Sequence, residues 1–531
     1  MAIQLSLASH CFAQLDSIIQ LGDTERNNAN YQEALIIYDE AGKVAKYGWE
    51  KSRVHYHRAD CFVMMDDFSA AAEQFGLAYK KNPKYDQEAL WDQASYLRQS
   101  GDVDGATKVA KKYMKMGQYP ELGQALLEGM RLSDKWLAEP VNINIEVDRQ
   151  LSTPSKEFAP AFVDKDKSVL MFTTNRHVKK GQDLAATRSA IYYASKAANG
   201  WSDCVRLDSN VNKTGTEGTV SFDHDRGLIF FTSCTDKECG LRFSFLNGKL
   251  AGESFPLVFE NGVDGNTTCG HPSYAQRLKI LFFASDMEGG YGGKDIWFSK
   301  YDAGSDTWKA PVNLGPTVNS AGDEMFPFID EENMLYFSSN GHPGMGGLDL
   351  FKWKFDESSS VSPENLQYPF NSNRDDFGII FDEFESGYLT SNRSGGVGND
   401  DIYKFSPIDY VVSEKDGPSK SEVENALEGV SKLVNTSICE EQASLPAITA
   451  LKVYPNPNDG QFSLDLSASN TMTVLVRIYS SVGSVVSTES NQLQQGKNTI
   501  QFEHQSLPSG IYYVQFISGC ETLGFEKFIV K

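Results

Sequence analysis

The sequence predicts a multidomain α plus all-β protein. It begins with α-helical repeats, continues with a β-propeller of five blades (six if one degenerate blade is hidden) and ends in a β-sandwich. Three observations predict this architecture: a helical motif repeated at intervals of 37 and 35 residues, five aromatic runs at intervals of 52 to 59 residues, and alternating apolar residues near the C-terminus. With 531 residues, 40% of them hydrophobic, the chain can bury about three cores.

The first segment, residues 15–135, carries a helical motif in three copies. Each copy has an anchor residue with an alanine three positions later, and a small residue lies nine positions before the anchor. Two helices per unit are predicted, because the small residue lets the first helix approach the second closely. The copies contain Gly22/Tyr31/Ala34/Tyr38, Ala59/Phe68/Ala71/Phe75 and Ala94/Val103/Ala106/Ala110.

This pattern resembles the tetratricopeptide repeat, although Val103 and Ala110 replace aromatic residues in the third unit. The resemblance implies a concave groove that binds a protein or a peptide. The alternative is a helical cap that only supports the next domain.

The second segment, residues 136–410, changes to alternating periodicity. Five runs have a serine or threonine as their penultimate residue, and these anchors are 59, 52, 54 and 52 residues apart. Four strands with their turns need about 40–50 residues, so each interval predicts one blade. The runs are SVLMFTTN (168–175), GLIFFTSC (227–234), KILFFASD (279–286), NMLYFSSN (333–340) and SGYLTSN (386–392).

Three blades continue with a glycine-rich turn that ends in an aspartate ten residues after the anchor, at Asp295, Asp349 and Asp401. The glycines allow a tight turn with positive φ. Each aspartate is predicted to accept backbone N–H groups and so to lock its turn. A calcium site is less favoured, because the ligand spacing of a known calcium loop is absent.

The ring is predicted to close through residues 142–147, which precede a segment that looks like the end of a blade. Pairing of these residues with the last blade leaves no sheet edge open. The stretch Ser391–Tyr403, SNRSGGVGNDDIY, resembles the Ser-x-Arg-x-Gly-Gly-x-Gly-x-Asp-Ile-Tyr signature of TolB-like (WD40-like Pro-Asp repeat) propellers, with one inserted residue. The resemblance implies a fold and no particular activity.

The usual signatures of catalysis and metal binding are missing from the sequence. It contains no G-x-S-x-G elbow, no H-E-x-x-H, no Walker loop and no CxxC pair among its eight cysteines. Of four histidines near blade turns, only two occupy equivalent places, so a metal-binding ring is not expected. No catalytic residue, metal site or cofactor is predicted. The four histidines are His177, His224, His271 and His342.

Cys234 and Cys239 flank a short predicted hairpin. They can form a disulfide if the protein folds in an oxidising compartment. Two buried free thiols are the alternative.

Residues 1–14, MAIQLSLASHCFAQ, are predicted to be a truncated signal peptide, although no Lys or Arg precedes the apolar run. An ordinary N-terminus is the alternative. No run approaches the roughly 20 apolar residues of a transmembrane helix. The net charge of −22, from 49 basic and 71 acidic residues, argues against a nucleic-acid partner.

The third segment begins with a linker, residues 411–448, which is rich in Ser and Glu and also contains Asp and Pro. Alternating apolar residues in 449–531 predict a β-sandwich. A Tyr-Pro-Asn-Pro-x-x-Gly motif opens it, and a Ser-Gly-Ile-Tyr motif and a terminal lysine follow. The motif residues are Tyr454, Pro455, Asn456, Pro457, Gly460, Gly510 and Lys531.

This module resembles the type A C-terminal sorting domain of the type IX secretion system. The resemblance implies export across the outer membrane of a Gram-negative, Bacteroidetes-like bacterium, with the secretion machinery as partner. In that family the domain is often cleaved and the protein linked to surface polysaccharide.

The sequence therefore predicts a secreted cell-surface binding or scaffold protein without enzyme activity. It would hold a protein or peptide in the helical groove or on the propeller face. One alternative is a periplasmic subunit of the secretion machinery, which the helical and propeller segments also resemble, although the OmpA-like end expected there is missing. A propeller-based hydrolase or lyase is the other, and it requires carboxylate, Arg or His side chains clustered at one mouth.

Overall fold

The computed structural model divides the chain into two compact units, Met1–Ile408 and Asp409–Lys531. The predicted fold class is confirmed: helices, then propeller-like sheets, then a C-terminal β domain. No described helix has an apolar run long enough to cross a membrane. The structure describes residues 2–176, 188–197, 200–207, 210–213, 216–235, 238–247, 250–262, 267–356, 361–382, 385–408, 448–456, 458, 461–480, 485–503, 507, 510–518 and 521–531.

Seven helices open the described part of the chain. The predicted anchors Tyr31, Phe68 and Val103 begin α2, α4 and α6. A Cβ atom on Gly22 would lie 2.4 Å from a ring carbon of Tyr38, so these helices approach as closely as predicted. The helices are α1 (Ala2–Asn27), α2 (Tyr31–Val44), α3 (Gly48–Met64), α4 (Phe68–Lys81), α5 (Ala89–Gln99), α6 (Val103–Tyr113) and α7 (Pro120–Ala138).

Strands β1 to β22 form the sheets of the first unit, and each of the five predicted aromatic runs is the second strand of a sheet. The strands are β1 (Ile143–Val147), β2 (Glu157–Phe162), β3 (Val169–Thr174), β4 (Ala190–Ala197), β5 (Gly200–Trp201), β6 (Val205–Arg206), β7 (Thr216–Asp223), β8 (Leu228–Cys234), β9 (Cys239–Asn247), β10 (Leu250–Pro256), β11 (Cys269–Ala275), β12 (Ile280–Ser285), β13 (Asp295–Asp302), β14 (Thr307–Trp308), β15 (Val312–Asn313), β16 (Glu324–Ile329), β17 (Met334–Ser339), β18 (Asp349–Lys354), β19 (Glu364–Asn365), β20 (Asp376–Phe381), β21 (Gly387–Ser391) and β22 (Asp401–Pro407).

The described residues form five blades arranged as a ring. The first strands β2, β7, β11, β16 and β20 contact one another in that order, and β20 returns to β2. β1 runs antiparallel to β22, with Ile143 opposite Pro407 and Val147 opposite Tyr403. The prediction that residues 142–147 close the ring on the last blade is therefore confirmed.

The second unit contains two sheets, one of three strands (β23-β24-β27) and one of four (β26-β25-β28-β29). Alternate residues of β24, Phe462, Leu464 and Leu466, are buried in the shared core, which is the pattern of a sheet with one face in water. Of the predicted linker 411–448, residues 411–447 lie outside the described residues, and Ile448 already begins β23. The strands are β23 (Ile448–Tyr454), β24 (Gln461–Ala468), β25 (Met472–Ser480), β26 (Val485–Leu493), β27 (Gly496–Glu503), β28 (Gly510–Ser518) and β29 (Glu521–Val530).

Candidate functional site

The three turn aspartates begin the third strands of their blades. All three are buried, and burial raises the pKa of each, to about 7 for Asp349. Each accepts two backbone N–H groups from its own turn, as a turn lock requires. The donors are Tyr291 and Gly292 for Asp295, Met345 and Gly346 for Asp349, and Val397 and Gly398 for Asp401.

Glycine is needed in these turns for two reasons: positive φ at one position, and close approach of a neighbouring backbone at others. Gly395 does have a φ of 96°, but Gly346 and Gly398 are required for another reason. A Cβ atom on Gly346 would lie 1.9 Å from the carbonyl oxygen of Arg374, and one on Gly398 would lie 2.0 Å from that of Ser155. Each of these turns therefore packs directly against the backbone that leads into the next blade.

The segment that leads into a blade is a further repeat, which occurs in four copies. It reads LSTPSKE (151–157), VNKTGTE (211–217), VNSAGDE (318–324) and FNSNRDD (370–376). Its asparagine clamps the preceding blade by bonding both the N–H and the C=O of one residue in the third strand. The clamps are Asn212 on Ile191, Asn319 on Ile296 and Asn371 on Leu350, and Ser152 plays this part on Ile402.

The helical layer packs on the propeller face that carries these turns. The buried guanidinium of Arg98 on α5 donates to two carbonyl oxygens of the blade-four turn, those of Gly344, at 3.0 Å, and Gly346. On α7, Gly129 lies so close to the same turn that a Cβ atom would be 2.1 Å from the Gly344 oxygen. α5 and α7 therefore contact the propeller at backbone atoms of the blade-four turn.

Two more contacts continue this junction toward α3 and α4. The Arg374 guanidinium lies 4.0 Å from the centroid of the Phe68 ring, within the range of a cation–π interaction. The Asn399 side chain donates to the carbonyl oxygen of Met64 at 3.5 Å. The junction thus includes α3, α4, α5 and α7 on one side and blades four and five on the other.

A cavity of about 210 Å³ remains between the two layers. From the helices it is lined by aromatic and polar side chains, among them Trp91, Asp92 and Tyr96. The propeller contributes amides and charged groups, which include Asn399 and Asp400. The cavity thus combines ring faces with hydrogen-bonding groups that could orient a small ligand.

Asp92 is a residue of this cavity that no sequence motif singled out. No described residue forms a hydrogen bond or an ion pair with its carboxylate. Burial, together with the nearby carboxylates of Glu88 and Asp60, raises the pKa of Asp92 to about 7. A carboxylate in the first turn of a helix is common, so no signal in the sequence distinguishes it.

The opposite wall of the cavity has a satisfied ion pair. The Lys156 ammonium lies 3.0 Å from the Asp400 carboxylate. Burial lowers the pKa of Lys156, but the attraction of Asp400 outweighs it and the pKa is raised. Lys156 therefore stays charged and is already engaged.

The histidines singled out in the sequence have separate partners. His342 bonds the carbonyl oxygen of Val318 at 2.7 Å. The His271 ring stacks on Phe326 with centroids 3.9 Å apart, and burial lowers the pKa of His271 to about 3. The backbone N–H of His224 donates to Gln276. His177 lies outside the described residues, and within them no group of three His, Cys, Asp or Glu side chains is placed to hold a metal ion.

Aromatic side chains of the first strands pack against one another at the centre of the propeller. Phe326 contacts His271 and Phe377, the latter at 4.6 Å between centroids. Every first strand has a bulge with one residue in the left-handed region, a conformation that costs energy for residues other than glycine. These residues are Ala159 (φ 50°), Thr219 (47°), His271 (54°), Phe326 (52°) and Gly378 (61°).

Cys234 and Cys239 are bonded as a disulfide and face each other across β8 and β9. Blade two has no glycine–aspartate turn, so its hairpin lacks the aspartate that holds the turn in blades three to five. The disulfide closes this hairpin instead. The described free thiols are Cys61, Cys204 and Cys269.

We expect replacement of both Cys234 and Cys239 by serine to lower the free energy of unfolding by about 2 kcal/mol, because a short closed loop is released in the unfolded chain. Urea titration of the full chain measures the change. A reductant should shift the parent protein in the same way and leave the double variant unchanged. Equal midpoints for parent and variant would contradict this role.

The motif residues of the second unit gather at one edge of the described strands. Tyr454 ends β23 and is 43% exposed, and Asn456 accepts the N–H of Ile529 at 2.9 Å. The backbone N–H of Lys531 donates to the Asn458 carbonyl oxygen at 2.8 Å. Gly510 begins β28, Pro455 follows β23, and Pro457 and Gly460 lie outside the described residues.

Residues 452–531 match the family described as the secretion system C-terminal sorting domain. The match implies export by the type IX secretion system, which carries proteins across the outer membrane of Bacteroidetes.

Solved structures similar to this chain include two β-propeller proteins. TolB from Acinetobacter baumannii is 13% identical over 55% of this chain and 70% of its own, with a TM-score of 0.29. A gluconolactonase from Xanthomonas campestris is 12% identical over 51% of this chain and 91% of its own, with a TM-score of 0.30. No curated protein matches the sequence significantly.

Proposed function

We propose that this chain is a non-enzymatic binding protein, exported by the type IX system and displayed at the outer cell surface. Its helical layer is taken as a tetratricopeptide array and its ring as a TolB-like propeller. The observation that carries the binding role is the cavity at their junction, where an unpaired carboxylate lies among ring faces and amides.

The partner is expected to be a protein or a peptide. α5 and α7 already contact the propeller through Arg98 and Gly129, so part of the helical surface serves as a cap on the propeller. Both alternatives, a supporting helical cap and a binding surface, therefore apply. The helices support the propeller, and the cavity that they leave open receives the partner.

Three buried carboxylates support a role without catalysis. Glu157, Glu324 and Asp376 begin the first strands of their blades, where a propeller enzyme could recruit them. Each instead accepts hydrogen bonds from the residue four positions earlier, from Thr153, Ser320 and Ser372 respectively. Groups that are fully engaged in holding the backbone are poor candidates for acid–base work.

Removal of residues 452–531 is expected to abolish display and to leave the remaining chain in the periplasm. The parent protein should appear at the cell surface or in the medium, with its C-terminal domain removed. Fractionation of the native host with mass spectrometry of the mature C-terminus measures both outcomes. Loss of the variant through misfolding is excluded if its helical–propeller unit keeps the unfolding midpoint of the parent.

A periplasmic parent protein with an intact C-terminus would overturn the proposal and favour the secretion-machinery subunit. Turnover of surface polysaccharide or peptide by the purified protein would instead favour the hydrolase or lyase. Stoichiometric binding without turnover is the expected result.

A further inference from the structure

We propose that the cavity between the helical layer and the propeller binds an alkylammonium group, the end of a lysine side chain on a partner protein. This inference deepens the proposed binding function and rests on it. It names the chemistry that the cavity recognises, with Asp92 as the group that receives the cation.

The first argument is the charge left without a partner. The other carboxylates of the cavity are engaged: Asp400 pairs with Lys156, and Asp375 accepts the N–H of Leu348 at 2.8 Å and the side chain of Asn392. Asp92 has no such contact among the described residues. A carboxylate with no cation beside it and two acids nearby is poorly stabilised in its ionised form. A ligand that supplies a cation therefore stabilises it strongly.

The second argument is the shape and polarity of the walls. The cavity of about 210 Å³ is larger than the roughly 150 Å³ of an apolar cavity that admits benzene, enough for a butyl chain with its ammonium. Trp91 and Tyr96 lie along the walls, where apolar ring surface suits the methylene stem of a lysine. The amide of Asn399, whose nitrogen donates to Met64, also lines the cavity, and its oxygen supplies an acceptor for a remaining N–H group.

The third argument concerns which cation fits. A metal ion needs several anionic or imidazole ligands placed around one point, and no such group occurs within the described residues. An ammonium needs one carboxylate and neutral acceptors, which this cavity has.

The test uses the purified full chain and three probes in calorimetric titrations: Nα-acetyl-lysine N-methylamide, butylamine and the uncharged norleucine analogue. We expect saturable binding of the lysine derivative in the millimolar range, weaker binding of butylamine and no binding of the norleucine compound. Binding of butylamine as tight as that of the lysine derivative would assign the cavity to free amines and overturn the partner-lysine assignment.

Asp92→Asn should weaken binding of the lysine derivative about tenfold or more, because it removes the charge and keeps the shape. The matched control is Asp104→Asn, an exposed charge on α6, which should leave affinity unchanged. The Asp92→Asn variant loses no described hydrogen bond and removes a carboxylate whose ionisation is disfavoured by burial, so its unfolding midpoint should not fall below the parent value. Unchanged affinity in Asp92→Asn, or no binding of either amine by the parent, would overturn the proposal.

Affinity should also depend on pH. Asp92 faces Glu88 and Asp60 from the helices and lies in the same cavity as Lys156, Asp375 and Asp400 of the propeller. Because the pKa of Asp92 is about 7, its ionised fraction and the affinity should rise about tenfold between pH 6 and pH 8. Affinity that stays constant over this range would contradict the role of Asp92.

These measurements are independent of export. Failed binding by a protein found at the surface would leave the export proposal standing, and lysine binding by a protein retained in the periplasm would leave the cavity assignment standing.

Discussion

Alanine at position 398 is expected to lower the free energy of unfolding of the helical–propeller unit by about 3 kcal/mol or more. The new Cβ atom would lie 2.0 Å from the carbonyl oxygen of Ser155 and 2.5 Å from that of Thr153. Both obstacles are backbone atoms, so no side-chain rotation relieves the overlap. The blade-five turn must move away from the segment that enters blade one, which is where the ring closes.

The measurement is a urea titration of the full chain. Gly240→Ala is the matched control, because a Cβ atom at Gly240 meets nothing within 4 Å, and its effect should stay within about 0.5 kcal/mol. Equal midpoints for Gly398→Ala and Gly240→Ala would show that the turn does not bear on ring closure.

Arg98→Met is expected to cost about 3 kcal/mol and to loosen the helical layer from the propeller. The arginine is half-buried and donates to the carbonyl oxygens of Gly344 and Gly346. Methionine keeps the apolar stem and leaves both oxygens without this donor. Burial raises the pKa of Asp349 and Arg98 lowers it, so the variant should also ionise Asp349 less and weaken the turn that it locks.

Hydrogen exchange locates this effect. The amides of Met345 and Gly346, which donate to Asp349, should exchange faster in Arg98→Met than in the parent. Arg131→Met on α7 is the control, because Arg131 is exposed and pairs only with Glu128 at 2.5 Å, a contact worth about 0.5 kcal/mol or less. Unchanged protection of the blade-four turn would contradict an anchoring role for Arg98.

Much of the fold could be predicted because it is built from local repeats. A strand run, a glycine turn and an aspartate such as Asp401 recur in fixed order in three blades, since these blades solve the same packing problem with nearly the same residues. Closure through residues 142–147 was also predictable, because a segment that looks like the end of a blade must find the missing strand.

The roles of single residues could be predicted less well from the sequence. Positive φ explains Gly395, but the need for Gly346 and Gly398 arises from a neighbouring backbone that sequence spacing does not reveal. The asparagine clamps were missed because the motif that carries them lies between blades, and only two of its copies look alike over their full length.

Sequence patterning alone established the helical repeats, the ring of blades and the sorting domain, because each depends on periodicity or on a motif read within one segment. The junction and its cavity were decided by tertiary structure. Arg98 meets oxygen atoms 246 and 248 positions later in the chain, and Asp92 becomes unusual only when the propeller covers it. Neither the contacts of Arg98 nor the surroundings of Asp92 follow a sequence repeat, so only the packing of the helical layer on the propeller brings these groups together.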